Sequence, residues 1–158
     1  MHNLLQSIVA KTLNSKKKLY CAFVDFEKCF DRLDRVFIWQ KLLKENVSTK
    51  LINAIQAMYS VVKSVVRYKS PKSEFLDSNI GVKQGDPSSS LIFLFFINDL
   101  LSNFDTNIDG LFTANEINIF ILLFCDDAIL FAETPNALQS LLNDLETYCN
   151  LWDLKVNT

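Results

Sequence analysis

The apolar positions fall into short runs and spaced stripes that predict alternating strands and helices. Leu19 to Phe26 is a compact apolar run with aromatic and β-branched members, which predicts a buried strand ending near Asp25. Asp34 is a good N-cap for a helix over Arg35 to Asn46, with Ile38, Leu42, Trp39 and Leu43 sharing a face. Ser48 caps a second helix from Thr49 to about Val62, with Leu51, Ile52, Ile55 and Tyr59 inward. Lys63 to Tyr68 and Glu74 to Ile80 read as a strand pair around Ser70-Pro71. Ser88 to Asn103 predicts a helix rich in Phe and Leu. Ile117 to Phe124 and Ala128 to Ala132 predict a hairpin with Asp126 and Asp127 at its turn. Thr134 caps a last amphipathic helix whose stripe is Leu138, Leu141, Leu142, Leu145 and Tyr148. Helices mixed with hairpins give an α+β class.

Composition sharpens this picture. The 158 residues suit one domain, and 49% hydrophobic with 22% charged residues argues against wholesale disorder. Phe occurs 13 times and Gly only 3 times, so each glycine is expected to have a local reason. Sixteen basic against 18 acidic residues leave a net charge of −2, which excludes a freestanding basic nucleic-acid binder of the usual kind. Cys21, Cys29, Cys125 and Cys149 form no CxxC clip, and His2 is the one imidazole, so a zinc site is not expected. Their apolar settings suggest reduced, buried thiols in an intracellular protein, with nucleus and cytoplasm undistinguished. His2 to Ala10 lacks the marks of a signal peptide, and the longest apolar run, Leu91 to Ile97, is too short to span a bilayer. No membrane is expected as a partner.

Three carboxylates stand out because they lie in apolar text: Asp25 in AFVDF, and Asp126 with Asp127 after IFILLFC. Each alone reads as a cap or turn residue. Together, near strand ends, they carry a desolvation and repulsion cost that a divalent cation relieves. Mg²⁺ takes oxygen ligands and leaves positions for water and phosphate, and a pair of ions suits in-line phosphoryl transfer. Between them lies IGVKQGDPSSS, with two of the three glycines, Gly81 and Gly85. Gly85 before Asp86-Pro87 marks a tight turn into the Phe-rich helix, and Gln84 offers an amide donor and acceptor.

FVDFEKCFDRLDR, GVKQGDPSSS and FCDD, in this order and spacing, resemble three palm motifs of reverse transcriptases, in the flavour of non-LTR (LINE-type) retrotransposons. IQAMY, FINDL and the closing YCNLWDLKVNT extend the likeness over nearly the whole chain. The resemblance implies a polymerase palm: a small antiparallel sheet backed by helices, with an Asp-Asp hairpin. It implies DNA synthesis from dNTPs on an RNA template with a DNA primer, using two Mg²⁺ ions, or Mn²⁺. Asp25 and Asp126 match the family's main catalytic metal ligands, and Asp127 matches the second member of its catalytic, metal-binding Asp pair, whose ligation is less constant. Phe26 matches a position whose carbonyl joins the metal shell, and Phe30 matches a gate against the ribose 2′-OH. Gln84 and Gly85 match positions lining the nucleotide and template pocket. Asp31 reads as structural. Lys63, Arg67, Lys69 and Lys72 read as a solvated basic hairpin face that could also meet phosphates. Cys29 and Cys125 stand where the family usually has Ala, and Ser88 and Ser90 where it commonly has Leu and Pro. Losing that Pro is expected to loosen the helix start.

The resemblance also implies a cationic fingers segment before residue 1, and a Lys-bearing segment and thumb after Thr158, with an endonuclease domain elsewhere. On that expectation residues 1–158 are a single partial reverse transcriptase domain, weak or inactive alone and dependent on those segments or another protein partner. Two alternatives stand beside it. One is a non-catalytic remnant or domesticated domain that binds nucleic acid or protein. The other is a Mg²⁺-dependent receiver-type domain, which would need a doubly wound parallel sheet.

Overall fold

A computed structural model describes residues 2–69, 72–114 and 116–157. The chain divides into two compact units, residues 1–27 with 99–158, and residues 28–98.

The first unit is built on a three-stranded antiparallel sheet of β1 (Tyr20–Asp25), β6 (Ile121–Phe124) and β7 (Asp127–Ala132), in the order β1-β7-β6. β7 is the central strand and its residues from Ala128 to Ala132 are all buried. β6 and β7 are joined by Cys125 and Asp126 alone, with Phe124 opposite Asp127. The antiparallel sheet excludes the receiver-type alternative, whose strands run parallel.

Helices cover both faces of this sheet. α6 (Pro135–Leu151) packs on β7 and β1 through Leu141, Leu145, Tyr148 and Cys149. It starts where predicted, with the Thr134 side chain accepting from the Ala137 N–H at 3.2 Å. On the opposite face, Ile8 of α1 (His2–Asn14) joins Phe112, Ile129 and Phe131 in one buried cluster. α1 has no counterpart among the sequence expectations. Leu4, Leu5, Ile8, Val9 and Leu13 nonetheless recur at helical spacing, although of these only Ile8 is buried and Leu13 is 71% exposed. Two short strands, β4 (Thr113–Ala114) and β5 (Ile117–Asn118), pair beside this cluster.

β1 is an edge strand of the sheet, and it corrects two expectations. It is not buried throughout: it alternates, and Phe23 is 75% exposed. Cys21 lies on the same side of this edge strand and is exposed, unlike the buried Cys29 and Cys149.

The second unit carries α2 (Cys29–Arg32), α3 (Arg35–Lys44), α4 (Thr49–Tyr59) and α5 (Pro87–Ile97). Asp34 caps α3 through Val36 N–H at 2.7 Å, and Ser48 caps α4 through Leu51 N–H at 3.4 Å. Ile38, Leu42, Ile52 and Tyr59 face inward as expected, but Leu43 and Leu51 are about half exposed. A 3₁₀ helix (Asn98–Asn103) continues the chain from α5, so the predicted Ser88–Asn103 helix is α-helical only to Ile97. Between α4 and α5, β2 (Lys63–Ser64) pairs with β3 (Leu76–Asp77), far shorter than the predicted strand pair. The Ser70-Pro71 turn lies outside the described residues.

Candidate active site

The sheet register sets the geometry of the carboxylates. Asp25 is the Cα partner of Asp127 in the β1–β7 ladder. One step on, the Phe26 N–H donates to the Asp126 carbonyl at 3.3 Å, so Asp25 and Asp127 form a non-hydrogen-bonded pair. Such partners share a sheet face with Cβ atoms about 4.5–5.5 Å apart. Both are exposed. Asp126 is half-buried in the turn, one residue out of phase with that face. Its neighbour Cys125 takes a left-handed φ of +52°, a conformation that non-glycine residues adopt at a cost of about 1–2 kcal/mol.

Asn157 fixes Asp25 from the other edge. Its backbone N–H donates to the Asp25 carbonyl at 2.9 Å, and its side-chain amide donates to Asp25 Oδ2. Phe26 is buried, and Glu27 N–H donates to the Lys155 carbonyl at 2.7 Å, so the closing segment zips along the end of β1. A cleft of about 380 Å³ opens beside the carboxylates, lined by Leu5, Phe23, Val24, Ala128 and Ile129 as well as Asp25 and Asp127.

Among the described residues no three His, Cys, Asp or Glu side chains converge on a metal position. The donor set still suits a hard cation. Mg²⁺ is commonly held by one or two carboxylates, with water and phosphate completing its shell, and Asp25 and Asp127 supply such a pair.

The remaining candidates lie in the second unit. Phe30 in α2 is half-buried, with its ring 5.2 Å from that of Phe93 in α5. Gln84 is exposed and its Nε2 donates to both carboxylate oxygens of Asp31, at 2.8 and 2.9 Å. An ionised carboxylate only accepts, so Nε2 must face Asp31 and Oε1 is turned away from it. Asp31 therefore orients a predicted site residue.

The two glycines of this loop differ. Gly81 has φ +75°, and a Cβ there would lie 2.6 Å from the Asp31 carbonyl oxygen and 2.7 Å from that of Phe30. Gly85 has φ +81° but open space around it, which leaves its backbone accessible. Arg35 holds the loop from behind, donating to the carbonyls of Gly81, Tyr59 and Ile80 at 2.9, 3.3 and 3.2 Å.

The start of α5 corrects another expectation. Asp86 accepts from Ser88 N–H at 2.8 Å and from Ser88 Oγ at 2.7 Å, and Pro87 occupies the first helical turn. Those two bonds from Ser88 hold the Asp86 carboxyl below its ordinary range. Ser88 thus reinforces the cap, and the helix start is secured without a proline at Ser90.

Sequence reasoning missed Asn157 and Leu5. Asn157 is 132 residues from Asp25, and its signal lay only in the closing YCNLWDLKVNT text.

Residues 1–158 match the family described as reverse transcriptase (RNA-dependent DNA polymerase). The chain belongs to that reverse transcriptase family. It is 30% identical over 144 residues to the Pol polyprotein of the type-1 retrotransposable element R2 of Nasonia vitripennis, covering 91% of this chain and 14% of that protein. It is also 30% identical over 141 residues to the R2DM polyprotein of Drosophila melanogaster, covering 89% of this chain and 13% of that one. These relatives make it a reverse transcriptase domain of the non-LTR retrotransposon kind. The fold agrees. Apo telomerase of Candida tropicalis superposes with a TM-score of 0.66 at 18% identity, over 98% of this chain and 32% of that structure. Telomerase of Candida albicans gives a TM-score of 0.60 at 14% identity, over 99% and 28%. The reverse transcriptase chain thus spans about a seventh of the R2 polyproteins it matches.

Proposed function

We propose that this chain supplies the catalytic palm of a template-directed DNA polymerase, adding dNTPs to a DNA primer along an RNA template. The observation that carries the reading is the register that sets Asp25 opposite Asp127 at one end of a small antiparallel sheet. In this reading Asp25 and Asp127, with Asp126 and the Phe26 carbonyl, would hold Mg²⁺ or Mn²⁺. A divalent cation held there would supply the positive charge that phosphoryl transfer needs. Asn157 keeps the Asp25 carboxylate in place by donating to it, so no rotamer search precedes binding.

The other residues bind and select. The apolar cleft lined by Leu5 and Phe23 takes the sugar of the primer end against the carboxylate face. Phe30, braced on Phe93, excludes a ribose 2′-OH by volume and so favours dNTPs. Gln84 presents Oε1 to a base or sugar donor, and Gly85 lets the strand approach its backbone. Homology to R2 polyproteins and the telomerase-like fold support this assignment over a non-catalytic binding domain.

The test is primer extension. The 158-residue chain alone, carrying a net charge of −2, is expected to extend a DNA primer on an RNA template weakly or not at all, because little cation density is present to grip a duplex. Placed in the matching segment of the Nasonia R2 polyprotein, it should support Mg²⁺-dependent extension that Asp126→Ala abolishes. Extension unaffected by Asp126→Ala would sink the reading.

A further inference from the structure

The second unit carries an arm, described at residues 61–69 and 72–80, that the polymerase reading does not use. β2 and β3 form its base, with Lys63 opposite Asp77, and a single bridge pairs Arg67 with Lys72 further out. Ser73 N–H to the Val66 carbonyl and Val66 N–H to Ser73 Oγ, both 2.9 Å, close the ladder between them. Every described residue from 63 to 77 is exposed. Tyr68 and Phe75 are each 72% exposed.

The charges on this arm are set against the rest of the chain. Lys63, Arg67, Lys69 and Lys72 outnumber Glu74 and Asp77 in a protein whose net charge is −2. Lys63 has an acid across the ladder, but Arg67 has Lys72 there. Like charges directly opposite each other destabilise a strand pair, so a bound anion would relieve a repulsion on the arm. Lys69 stands with Nζ 5.5 Å from the centre of the Tyr68 ring, in a left-handed backbone conformation with φ +52°. Arg67 and Lys69 thus flank the solvent-facing Tyr68 ring, the pairing that single-stranded nucleic acid uses for phosphates and bases, and Phe75 adds a second exposed ring. The arm also exposes Val61, Val66, Leu76 and Ile80, which would suit a protein partner, but its excess of cations over acids favours a polyanion.

We propose that this arm is a contact surface for single-stranded nucleic acid, with Arg67, Lys69 and Lys72 on phosphates and Tyr68 and Phe75 stacking on bases. The inference rests on the proposed polymerase function only in taking nucleic acid as the partner. It needs no metal and no turnover, so its failure is separable from failure of that reading.

The experiment is fluorescence anisotropy with the whole 158-residue chain in metal-free buffer containing EDTA. The probes are labelled single-stranded RNA and DNA of one mixed sequence, about 15 nucleotides long, and the matching duplex. Both single strands should bind, with log K falling against log salt at a slope of about −2 for three phosphate contacts. Arg67→Ala/Lys69→Ala/Lys72→Ala should weaken binding at least ~10-fold and flatten that slope. Tyr68→Ala and Phe75→Ala should each weaken it ~5-fold or more with the slope kept. The charge-preserving Arg67→Lys/Lys69→Arg/Lys72→Arg variant should bind as the parent does, and unchanged melting curves show that the variants fold. Equal affinity for RNA and DNA supports recognition through phosphates and bases, and tighter RNA binding supports it with the 2′-OH as an added contact. Absence of binding, undiminished binding by the triple alanine variant, or preference for duplex overturns the proposal. So does a dimer lost on Phe75→Ala without oligonucleotide binding, which gives the arm to a protein instead. Failed extension by the chain placed in the R2 polyprotein, with oligonucleotide binding by the arm intact, would count against the polymerase reading alone.

Discussion

Asp25 lies directly across the β1–β7 ladder from Asp127, two carboxylates on one face of an antiparallel sheet. Without a cation this is a like-charge cross-strand pair, which costs about 0.2–1 kcal/mol. Asp127→Asn should therefore stabilise the chain slightly in EDTA. It should also remove the stabilisation that Mg²⁺ gives the parent, because a ligand binding only the folded state adds to its stability. Urea unfolding with and without Mg²⁺ reads both effects. A variant as Mg²⁺-responsive as the parent would separate Asp127 from any cation.

The glycines of the Gln84 loop should respond differently to the same change. Gly81→Ala forces a Cβ to within 2.6 Å of the Asp31 carbonyl oxygen, so the backbone contacts of Gly81 with α2 must open. Several kcal/mol of destabilisation is expected, beyond the ~1–2 kcal/mol of left-handed strain. Gly85→Ala meets no neighbour and should cost only that strain. Equal melting shifts for the two variants would contradict the packing described here.

Tyr148 is fully buried and donates to Asp99 Oδ1 at 2.8 Å. Tyr148→Phe removes a donor to a buried carboxylate while keeping the ring, and should cost about 1–3 kcal/mol. Chemical denaturation measures the loss, and a variant within ~0.5 kcal/mol of the parent would show that another donor replaces the hydroxyl.

Alkaline stability follows from the same helix. Burial, then the Glu146 charge, pushes the Cys149 thiol up to about 11 from its ordinary 9.0. Burial, then the bond to Asp99, raises the Tyr148 hydroxyl above its ordinary value as well. Both groups ionise more easily in the unfolded chain, so their contribution is intact below pH ~9 and is lost as pH rises toward the folded values. Melting temperature should fall steadily from pH ~9 to ~11, and Cys149→Ala should flatten part of that slope. A flat profile over that window would contradict the burial of both groups.

Much of this was legible in the sequence, for identifiable reasons. The caps Asp34, Ser48, Asp86 and Thr134 bond as their residue types predict, because a cap depends on a few adjacent atoms. β7 was legible because a central strand buries both faces and reads as one apolar run. β1 reads alike in sequence but is an edge strand, and only its partners reveal that Cys21 and Phe23 face solvent. Leu43 and Leu51 are apolar yet exposed, which periodicity alone does not separate from core positions. Asn157 on Asp25 and Asp31 on Gln84 are contacts made by folding across the sequence, and local pattern carries no trace of them.

The central claim is that Asp25 helps to form a divalent-cation site at the end of β1. Mn²⁺ titration of the purified chain, followed by loss of the free-ion paramagnetic resonance signal, tests it most directly. The account predicts uptake that Mg²⁺ competes away and that Asp25→Ala weakens at least ~10-fold, about 1.4 kcal/mol. Equal uptake by the parent and the Asp25→Ala chain, or none by either, would contradict it.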